Sequence, residues 1–476
     1  MKKLVSLLLV FVMLCLLLSS CTNVKDGIDA IKDMVDGNNK IAASSENFEI
    51  TQSMMCYFTN SYYQHWYSQN YYYILLGYIN FDVNKALNEQ YTDSSQTQTY
   101  YDFFVEGTKN TVITYLNYCE FAFNEPTVNY EKLKAGAEKY AAEQMKVIKE
   151  AAKFQGCDYK SYIRNYFGDN VTEKALNDAW VIEKIASDCY DIVLDMFYNT
   201  VTEKDEDDYF EKNLSDFIKA ECVVINVPDT DKENVQRLSE AKDMDEFNAL
   251  MNEFGYSNAK NQTLYYDENT SLGKFLFGGV KEQYNIGEIA EEAKNAELYD
   301  SFVDDSRAGY LTLYFVTRPA YRDETPLRDV GHILFRVDSS GADNVYKTSE
   351  TAKAAAERLF SEIMDKSADG FVSKEVFESM ATNTYDTEVF YYNVNKGEMV
   401  YEFEKWLFEA EKAGQMGIIE TTYGWHIIYY GGESGEISWR YHAHNSVVGE
   451  NMNTWYDSLA YTITLDDSVL EKIFNP

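Results

Sequence analysis

The pattern of hydrophobic and polar positions divides the chain into a helical half and a half in which strands and helices alternate. Apolar residues recur at helical spacing over residues 46–203, and no proline occurs between Pro126 and Pro228. Thr172 stands where an N-cap is expected, and Gly156 follows a run of strong helix formers as a C′ residue. The pattern predicts a helical N-terminal domain.

Beyond this domain, one order of elements occurs twice at a spacing of about 110 residues. The strand-like stretches "ECVVINV" and "GYLTLYFVTRP" enclose two predicted helices, and "VGHILFRV" and "YGWHIIYY" enclose three, the third ending at Gly414. The longest of these helices carries a stripe formed by Ala352, Ala355, Ala356, Leu359, Phe360 and Ile363. We predict two tandem α+β domains, 204–322 and 323–432, followed by an extension over 433–476.

The N-terminus has the features of an export signal. Lys2 and Lys3 precede an apolar stretch that is short for a membrane span, and the stretch ends in "LSSC". This tetrapeptide resembles the lipobox of bacterial lipoproteins, which implies cleavage after residue 20 and lipid attachment to Cys21. The resemblance places the protein on the extracytoplasmic face of a bacterial cell membrane, held by its lipid and a linker over residues 21–45.

Charge excludes one class of partner. The chain carries 78 acidic and 42 basic residues, a net charge of −36, and has no basic stripe. A phosphate backbone would repel such a protein, so nucleic-acid binding is excluded. The 40 tyrosines raise the aromatic content to 15%, so that much of the apolar surface carries a hydroxyl group.

The cysteines and histidines predict no metal site and no cofactor. After processing, five cysteines remain at scattered spacings, without a CxxC pair or a Cys-His cluster. The "HAH" stretch at 442–444 has no acidic residue close to it in the sequence.

Four residues of the second repeat suggest a site. His332 lies in the first strand of the repeat and His426 in the last, and such strands often pair in a small α+β domain. Met399 and Phe403 are four residues apart at the start of a predicted helix and therefore share a face. For His426 alone, the ordinary interpretation is a packed core histidine, and for Met399 or Phe403 alone it is core packing.

Three stretches of this repeat occur together in one order: "GHILF" at 331–335, "GEMVYEFEKWLF" at 397–408 and "ETTYGWHII" at 420–428. In this order the region 328–432 resembles the parvulin-type peptidyl-prolyl isomerases. The resemblance implies an isomerase domain that rotates X-Pro peptide bonds without a cofactor.

The resemblance also implies a role for each matching residue. His332 and His426 correspond to the paired histidines on the floor of the site, and Thr421 to the hydroxyl residue that bonds the second histidine. Met399 and Phe403 correspond to the walls of the proline pocket.

One segment departs from the family. Parvulins usually carry a cysteine or aspartate before a central loop and a Gly-Gly-x-Leu-Gly turn after it, whereas this chain has the shorter, glycine-free "YDTEVFYYNV". Asp386 is the better candidate for the acidic catalytic position and Thr387 the alternative. Tyr391 replaces the usual leucine of the pocket.

The first repeat resembles a degenerate copy of the second. Cys222 stands where His332 stands, and "AGYLTLY" matches "YGWHII" without a histidine. The whole chain resembles the PrsA-type foldase lipoproteins and, more distantly, SurA-type chaperones. The implied fold is an α+β multidomain chain, with a helical chaperone-like domain followed by two tandem parvulin-like domains. The resemblance also implies that the extension over 433–476 returns to complete the helical domain. The implied partners are unfolded or newly exported polypeptides.

Two other functions remain open. A holdase chaperone with an inactive parvulin fold is the main alternative, because the segment "YDTEVFYYNV" differs from the loop and the glycine turn that parvulins usually carry at the site. A solute-binding lipoprotein is the other, although regular strand–helix alternation of two α/β lobes is missing. The sequence gives no indication of the oligomeric state.

The lipobox yields a prediction. Changing Cys21→Ala removes the residue that accepts the lipid, so we expect release from the membrane or accumulation of uncleaved precursor. Membrane fractionation and the mass of the mature N-terminus measure this. Normal processing with unchanged membrane retention would contradict it.

Overall fold

The computed structural model describes residues 40–287, 294–338, 345–367, 370–381, 388–470 and residue 473. These residues form two compact units. One contains the described residues up to Met196 together with those from Met452 on, and the other contains residues 197–451. Cys21, Asp386 and Thr387 lie outside the described residues.

The first part of the chain is helical, as the pattern predicts. Its elements are β1 (Ile41–Ser44), β2 (Glu49–Thr51), α1 (Gln52–Leu75), α2 (Tyr100–Asn124), α3 (Tyr130–Phe154), α4 (Tyr159–Phe167) and α5 (Glu173–Tyr198). The predicted caps are confirmed: Thr172 Oγ1 accepts the Ala175 N–H at 3.1 Å, and Gly156 has a φ of +70° just after α3. Ile41–Ser44, expected within the linker, instead form a strand that pairs with β2.

The next elements form the first α+β repeat. They are α6 (Glu203–Lys212), α7 (Leu214–Phe217), β3 (Ile218–Pro228), α8 (Lys232–Ser239), α9 (Met244–Phe254), β4 (Lys260–Tyr265), α10 (Ser271–Phe277), α11 (Val280–Tyr284), β5 (Ser301–Asp304) and β6 (Tyr310–Arg322). The sheet has the strand order β4-β3-β6-β5.

The second repeat follows directly. Its elements are β7 (Pro326–Val337), β8 (Val345–Tyr346), α12 (Ser349–Met364), α13 (Lys374–Met380), β9 (Phe390–Val394), α14 (Tyr401–Glu409), β10 (Met416–Thr421) and β11 (Gly424–Ile437). β10 pairs with β11 and β11 with β7, while β9 and the two-residue β8 pair with other stretches of β7.

The two repeats therefore share one topology. If the two-residue β8 is left out of the comparison, the first strand of each repeat pairs antiparallel with the last, the second strand pairs with the first, and the third pairs with the last. Both also place two helices between the first and second strands. The duplication inferred from the sequence is thus a duplication of strand connectivity.

Each face of the second sheet packs against different helices, because side chains alternate along a strand. Ile333, Phe335 and Ile427 point to a core shared with α12 and α13. Val330 and Ile428 point to the opposite face, where they pack with α14. The predicted apolar stripe of α12 is confirmed, since it lies in the first of these cores.

The boundaries of α14 differ from the prediction. The helix ends at Glu409, and Ala410 is already extended. Gly414, expected to follow the helix as its C′ residue, lies in the loop before β10 and donates its N–H to the Tyr430 carbonyl.

The C-terminal elements are α15 (Ser438–Ser458), β12 (Thr464–Leu465) and α16 (Asp467–Leu470). β12 pairs antiparallel with β1. Within the described part of the chain, no helix combines the length and the apolar character that a bilayer crossing requires.

Gly424 explains the Gly-Trp pair that precedes His426. The residue begins β11 after a two-residue turn and has a φ of +135°, a conformation open to glycine and strained for other residues. A Cβ at this position would lie 2.3 Å from the Phe335 carbonyl oxygen. The strand can therefore pair with β7 only if this residue is glycine.

The fold predicts opposite effects for two glycine substitutions. Gly424→Ala introduces backbone strain and a clash, so we expect a loss of at least about 2 kcal/mol in the free energy of unfolding. Gly449→Ala is the matched control, because this residue is in the middle of α15 with open space around it. It should gain about 0.5–1 kcal/mol. Urea unfolding followed by tryptophan fluorescence measures both, and equal stabilities would contradict the account.

Candidate active site

Strand register brings two buried histidines together. In the antiparallel pair of β7 and β11, Ile428 lies opposite His332, and His426 lies opposite Leu334. The two histidines are thus diagonal neighbours on one face of the sheet. Their Nδ1 atoms are 3.3 Å apart and their rings are nearly parallel, with an interplanar angle of 21°.

Thr421 extends this contact into a chain. Its Oγ1 lies 2.8 Å from Nε2 of His426 and also accepts the Tyr423 N–H at 3.1 Å. The Nδ1···Nδ1 contact needs one protonated and one unprotonated nitrogen. Two neutral arrangements satisfy this contact, one with the proton on Nδ1 of His426 and one with it on Nδ1 of His332.

Burial keeps both rings neutral. His332 is 5% exposed and His426 is 4% exposed. Burial, and to a lesser extent the neighbouring His426, lowers the pKa of His332 to about 3. Burial alone lowers the pKa of His426 to about 4. An imidazolium would be poorly solvated at this place, so the pair is uncharged at neutral pH.

An apolar wall stands against the imidazoles. The Phe403 ring, on α14, lies 5.6 Å from the ring of His332 and 5.8 Å from that of His426, in edge-on orientation to both. The Tyr391 ring, on β9, lies 5.3 Å from the His332 ring. Phe403 is buried, whereas Tyr391, Met399 and Thr421 are half-buried, so these three form the side of the site that solvent reaches.

Met399 holds a different place from the one expected. α14 begins at Tyr401 with Val400 as its N-cap, so Met399 precedes the helix. It still packs in the same apolar cluster as Phe403 and the half-buried Tyr391. The structure thus brings together six of the seven residues expected in the isomerase site, and the seventh, Asp386, lies outside the described residues.

Two further residues of this site were not expected from the sequence. Ile419 lies directly opposite His426 in the hairpin of β10 and β11 and packs in the same cluster. The two-residue turn before Gly424 fixes that register, so recognising the turn would have placed Ile419. Arg328 donates hydrogen bonds to the carbonyls of Leu407 and Ala410 at the end of α14, which fixes the helix that carries Phe403.

The first repeat has positions equivalent to those of His332 and His426, but neither position carries an imidazole. Cys222 lies opposite Val316, just as His332 lies opposite Ile428. Cys222 also packs against α10, the helix that corresponds to α14 of the second repeat. Two residues along, Tyr314 pairs with Val224 and occupies the position of His426. The alignment of "AGYLTLY" with "YGWHII" is therefore displaced by three residues, although its conclusion that no histidine is present there agrees with the structure.

His442 and His444, of the "HAH" stretch, make structural contacts. His444 Nδ1 lies 2.9 Å from a Glu206 carboxylate oxygen, and its Nε2 lies 3.0 Å from the Tyr198 carbonyl. The His442 ring packs against Phe217. Within the described ranges, no cluster of three or more potential metal ligands occurs.

Comparisons with known proteins bear on the second repeat. Residues 332–431 match the family described as "Rotamase: PPIC-type PPIASE domain". Among solved structures, the foldase protein PrsA from Lactococcus lactis matches with 13% identity over 72% of this chain and 97% of that chain, at a TM-score of 0.17. A similarity this weak bears neither on the fold nor on the function. No curated protein matches the chain.

The neutral histidine pair predicts a specific pH response. The ring signals of His332 and His426 should keep their neutral chemical shifts from pH 8 down to about pH 5, because both pKa values lie well below the ordinary value near 6.5. The unfolded chain binds these protons first, so the contribution to stability should be constant above about pH 6.5 and should fall between about pH 6.5 and pH 4.

Histidine side-chain NMR measures the titration, with each signal assigned by a single His→Gln substitution. Titration of either ring near pH 6.5 in the folded protein would show that the pair is solvated and would contradict the assignment.

Proposed function

We propose that residues 332–431, which match the PPIC-type, or parvulin-type, peptidyl-prolyl isomerase domain, catalyse cis–trans isomerisation of X-Pro bonds in exported polypeptides. The observation that carries the proposal is the buried, uncharged pair of His332 and His426 beneath Phe403. In this proposal the protein is an extracytoplasmic foldase lipoprotein, anchored through Cys21, that also binds unfolded clients.

The reaction explains why an apolar site is suitable. Rotation about a prolyl peptide bond has a barrier of roughly 18–20 kcal/mol and breaks no covalent bond. It needs no nucleophile and no cofactor. The planar amide owes its stability to charge-separated resonance, which an apolar environment solvates poorly, so transfer from water into such a site favours the twisted amide. Lowering the barrier by about 5.5 kcal/mol accelerates the rotation about 10⁴-fold.

The side chains then divide into two roles. Met399, Phe403 and Tyr391 receive the proline ring, because they form an apolar wall with a half-buried entrance. His332, His426 and Thr421 supply hydrogen-bonding groups, while the low pKa values keep both imidazoles uncharged. Asp386 is proposed as an additional catalytic residue on the resemblance alone.

Cys222 and Tyr314 leave the first repeat without the imidazole pair, so we assign the isomerase activity to the second repeat only. A holdase without isomerase activity is the alternative. The following experiment separates the two, because a holdase suppresses aggregation of an unfolded client but leaves the isomerisation rate of a short peptide unchanged.

The proposal predicts that one hydroxyl group controls catalysis. Thr421→Val keeps the shape of the side chain and removes the bond to His426, so we expect kcat/KM for an X-Pro peptide to fall about tenfold or more. Thr421→Ser retains the hydroxyl and should restore most of the activity. Both variants should suppress aggregation of an unfolded client as well as the unmodified chain does.

The measurement is isomerisation of a short X-Pro peptide by the full chain without its signal peptide, alongside an aggregation assay. Absence of isomerisation in the unmodified chain would leave the holdase alternative. Equal losses in the valine and serine variants would show that Thr421 acts through packing.

A further inference from the structure

The end of α1 carries an unusual group of exposed apolar side chains. Its members are Tyr71, Tyr72, Tyr73, Leu75, Leu76 and Tyr78, which are exposed by 50%, 69%, 56%, 65%, 56% and 77% in that order. We call them the tyrosine patch. Among the residues from Tyr71 to Tyr78, only Ile74 is turned toward the protein interior. Contiguous exposed apolar surface is rare on soluble proteins and marks sites of interaction.

The backbone at this place is ordered by specific bonds. After the helix, Gly77 adopts a φ of +77°, and the Tyr78 N–H donates to the Tyr73 carbonyl, which closes the helix end. The rings of Tyr73 and Tyr78 lie 6.5 Å apart as the contact that accompanies this closure. The patch is thus built into the helix end.

An aromatic core supports the patch from below. Phe81, Tyr100 and Phe104 are buried there, and Trp66 packs against all three with ring centroids 5.1–5.3 Å apart. Tyr67 continues the cluster to the patch, with its ring 5.8 Å from that of Tyr71. A rigid base of this kind lowers the entropy that the exposed rings lose when they bind a partner.

The surroundings of the patch are acidic. The chain runs from Tyr78 directly into a polar cleft of about 310 Å³, whose lining includes the carboxylates of Asp82, Glu89 and Asp93 and one lysine, Lys85. The whole chain carries a net charge of −36. A partner that binds the patch is therefore exposed to aromatic rings and to negatively charged side chains at the same time.

We propose that the tyrosine patch binds extended segments of unfolded polypeptide in which aromatic or aliphatic residues stand next to lysine or arginine, with no requirement for proline. The inference rests on the client binding proposed above and specifies its place and its preferred sequence. Tyrosine rings provide contact area at low entropic cost and attract cationic side chains over their faces. The acidic cleft adds a long-range attraction that salt weakens.

Charge argues against two other occupants. A bilayer rich in anionic lipids would be repelled by the acidic surroundings, although tyrosine and leucine suit a membrane interface. A second copy of the chain would bring the same carboxylates and the same net charge to the contact. A basic, apolar peptide segment satisfies both features of the surface.

The test compares two triple variants of the full chain without its signal peptide. The patch variant is Tyr72→Ser, Leu75→Ser and Tyr78→Ser. The matched control is Val147→Ser, Phe154→Ser and Met196→Ser, three apolar side chains of the same unit that are 49%, 93% and 44% exposed. All six side chains are open to solvent, so both variants should fold, which circular dichroism and unchanged isomerisation of a short X-Pro peptide would verify.

Fluorescence anisotropy is measured with three labelled, proline-free, unstructured peptides of equal length. The first alternates aromatic residues with lysine and arginine, the second has glutamate in place of the basic residues, and the third has serine in place of the aromatic ones. We expect the unmodified chain to prefer the first peptide about tenfold over either of the others, and the preference over the acidic peptide to shrink at high salt. The patch variant should lose about tenfold in affinity for the first peptide, and the control less than about twofold.

The outcomes separate the inference from the function on which it rests. If the unmodified chain binds none of the peptides, the proposed client binding fails. If it binds them and the patch variant binds equally well, only the assignment to the tyrosine patch is overturned. Equal binding of basic and acidic peptides would overturn the preference for basic segments. If the unmodified chain sediments with phosphatidylglycerol vesicles and the patch variant does not, the surface binds lipid and the proposal is overturned.

Discussion

The isomerase repeat depends on the antiparallel register between β7 and β11. Side chains alternate between the two faces of a strand, so a shift of one residue would move His332 or His426 to the face covered by α12 and α13. Two glycines protect this register. Gly424 allows the strand to start beside the Phe335 carbonyl, and a Cβ at Gly331 would lie 2.8–2.9 Å from atoms of Phe377 and Phe390. These glycines thereby keep the imidazoles under Phe403.

The same register decides the chemistry of the pair. Because the face that carries the histidines is covered by α14, both rings are buried, and burial lowers both pKa values. A charged pair would attract water and favour the planar, charge-separated amide. A neutral pair linked to Thr421 keeps polar groups within reach of an amide while the surroundings remain apolar. The packing of the site therefore determines the protonation state of its histidines.

Much of this site could be predicted from the sequence, because its residues lie in regular elements. Alternation placed His332 and His426 in strands, and the family resemblance linked them to Phe403 and Thr421. Other features depend on tertiary contacts. α14 ends at Glu409 rather than near Gly414, because Arg328, from a distant strand, binds its last carbonyls.

Short edge strands could also not be predicted from the sequence pattern. β4 is largely exposed on both faces, so it lacks the apolar alternation that identifies a strand. The register of β6 was misjudged because the alignment matched Gly309 with Gly424. Tyr314, which occupies the position of His426, is five residues beyond Gly309, whereas His426 is two residues beyond Gly424. The position of Tyr314 opposite Val224 is visible only in the folded chain.

The duplication has led to two different uses of one topology. In the first repeat, the face that corresponds to the isomerase site is covered by the chain itself: Phe210, Phe217 and Trp439 pack in the same cluster as Cys222. The Arg322 guanidinium lies 3.8 Å from the Trp439 ring and 4.7 Å from the Phe210 ring. A proline-containing segment would have to displace this packing, and it would find Cys222 and Tyr314 in place of imidazoles. The first repeat therefore anchors α6, α7 and the start of α15, while the second keeps its face open at Met399, Tyr391 and Thr421. A copy whose face is covered by its own chain cannot receive a proline ring, which agrees with the absence of an imidazole pair from that face.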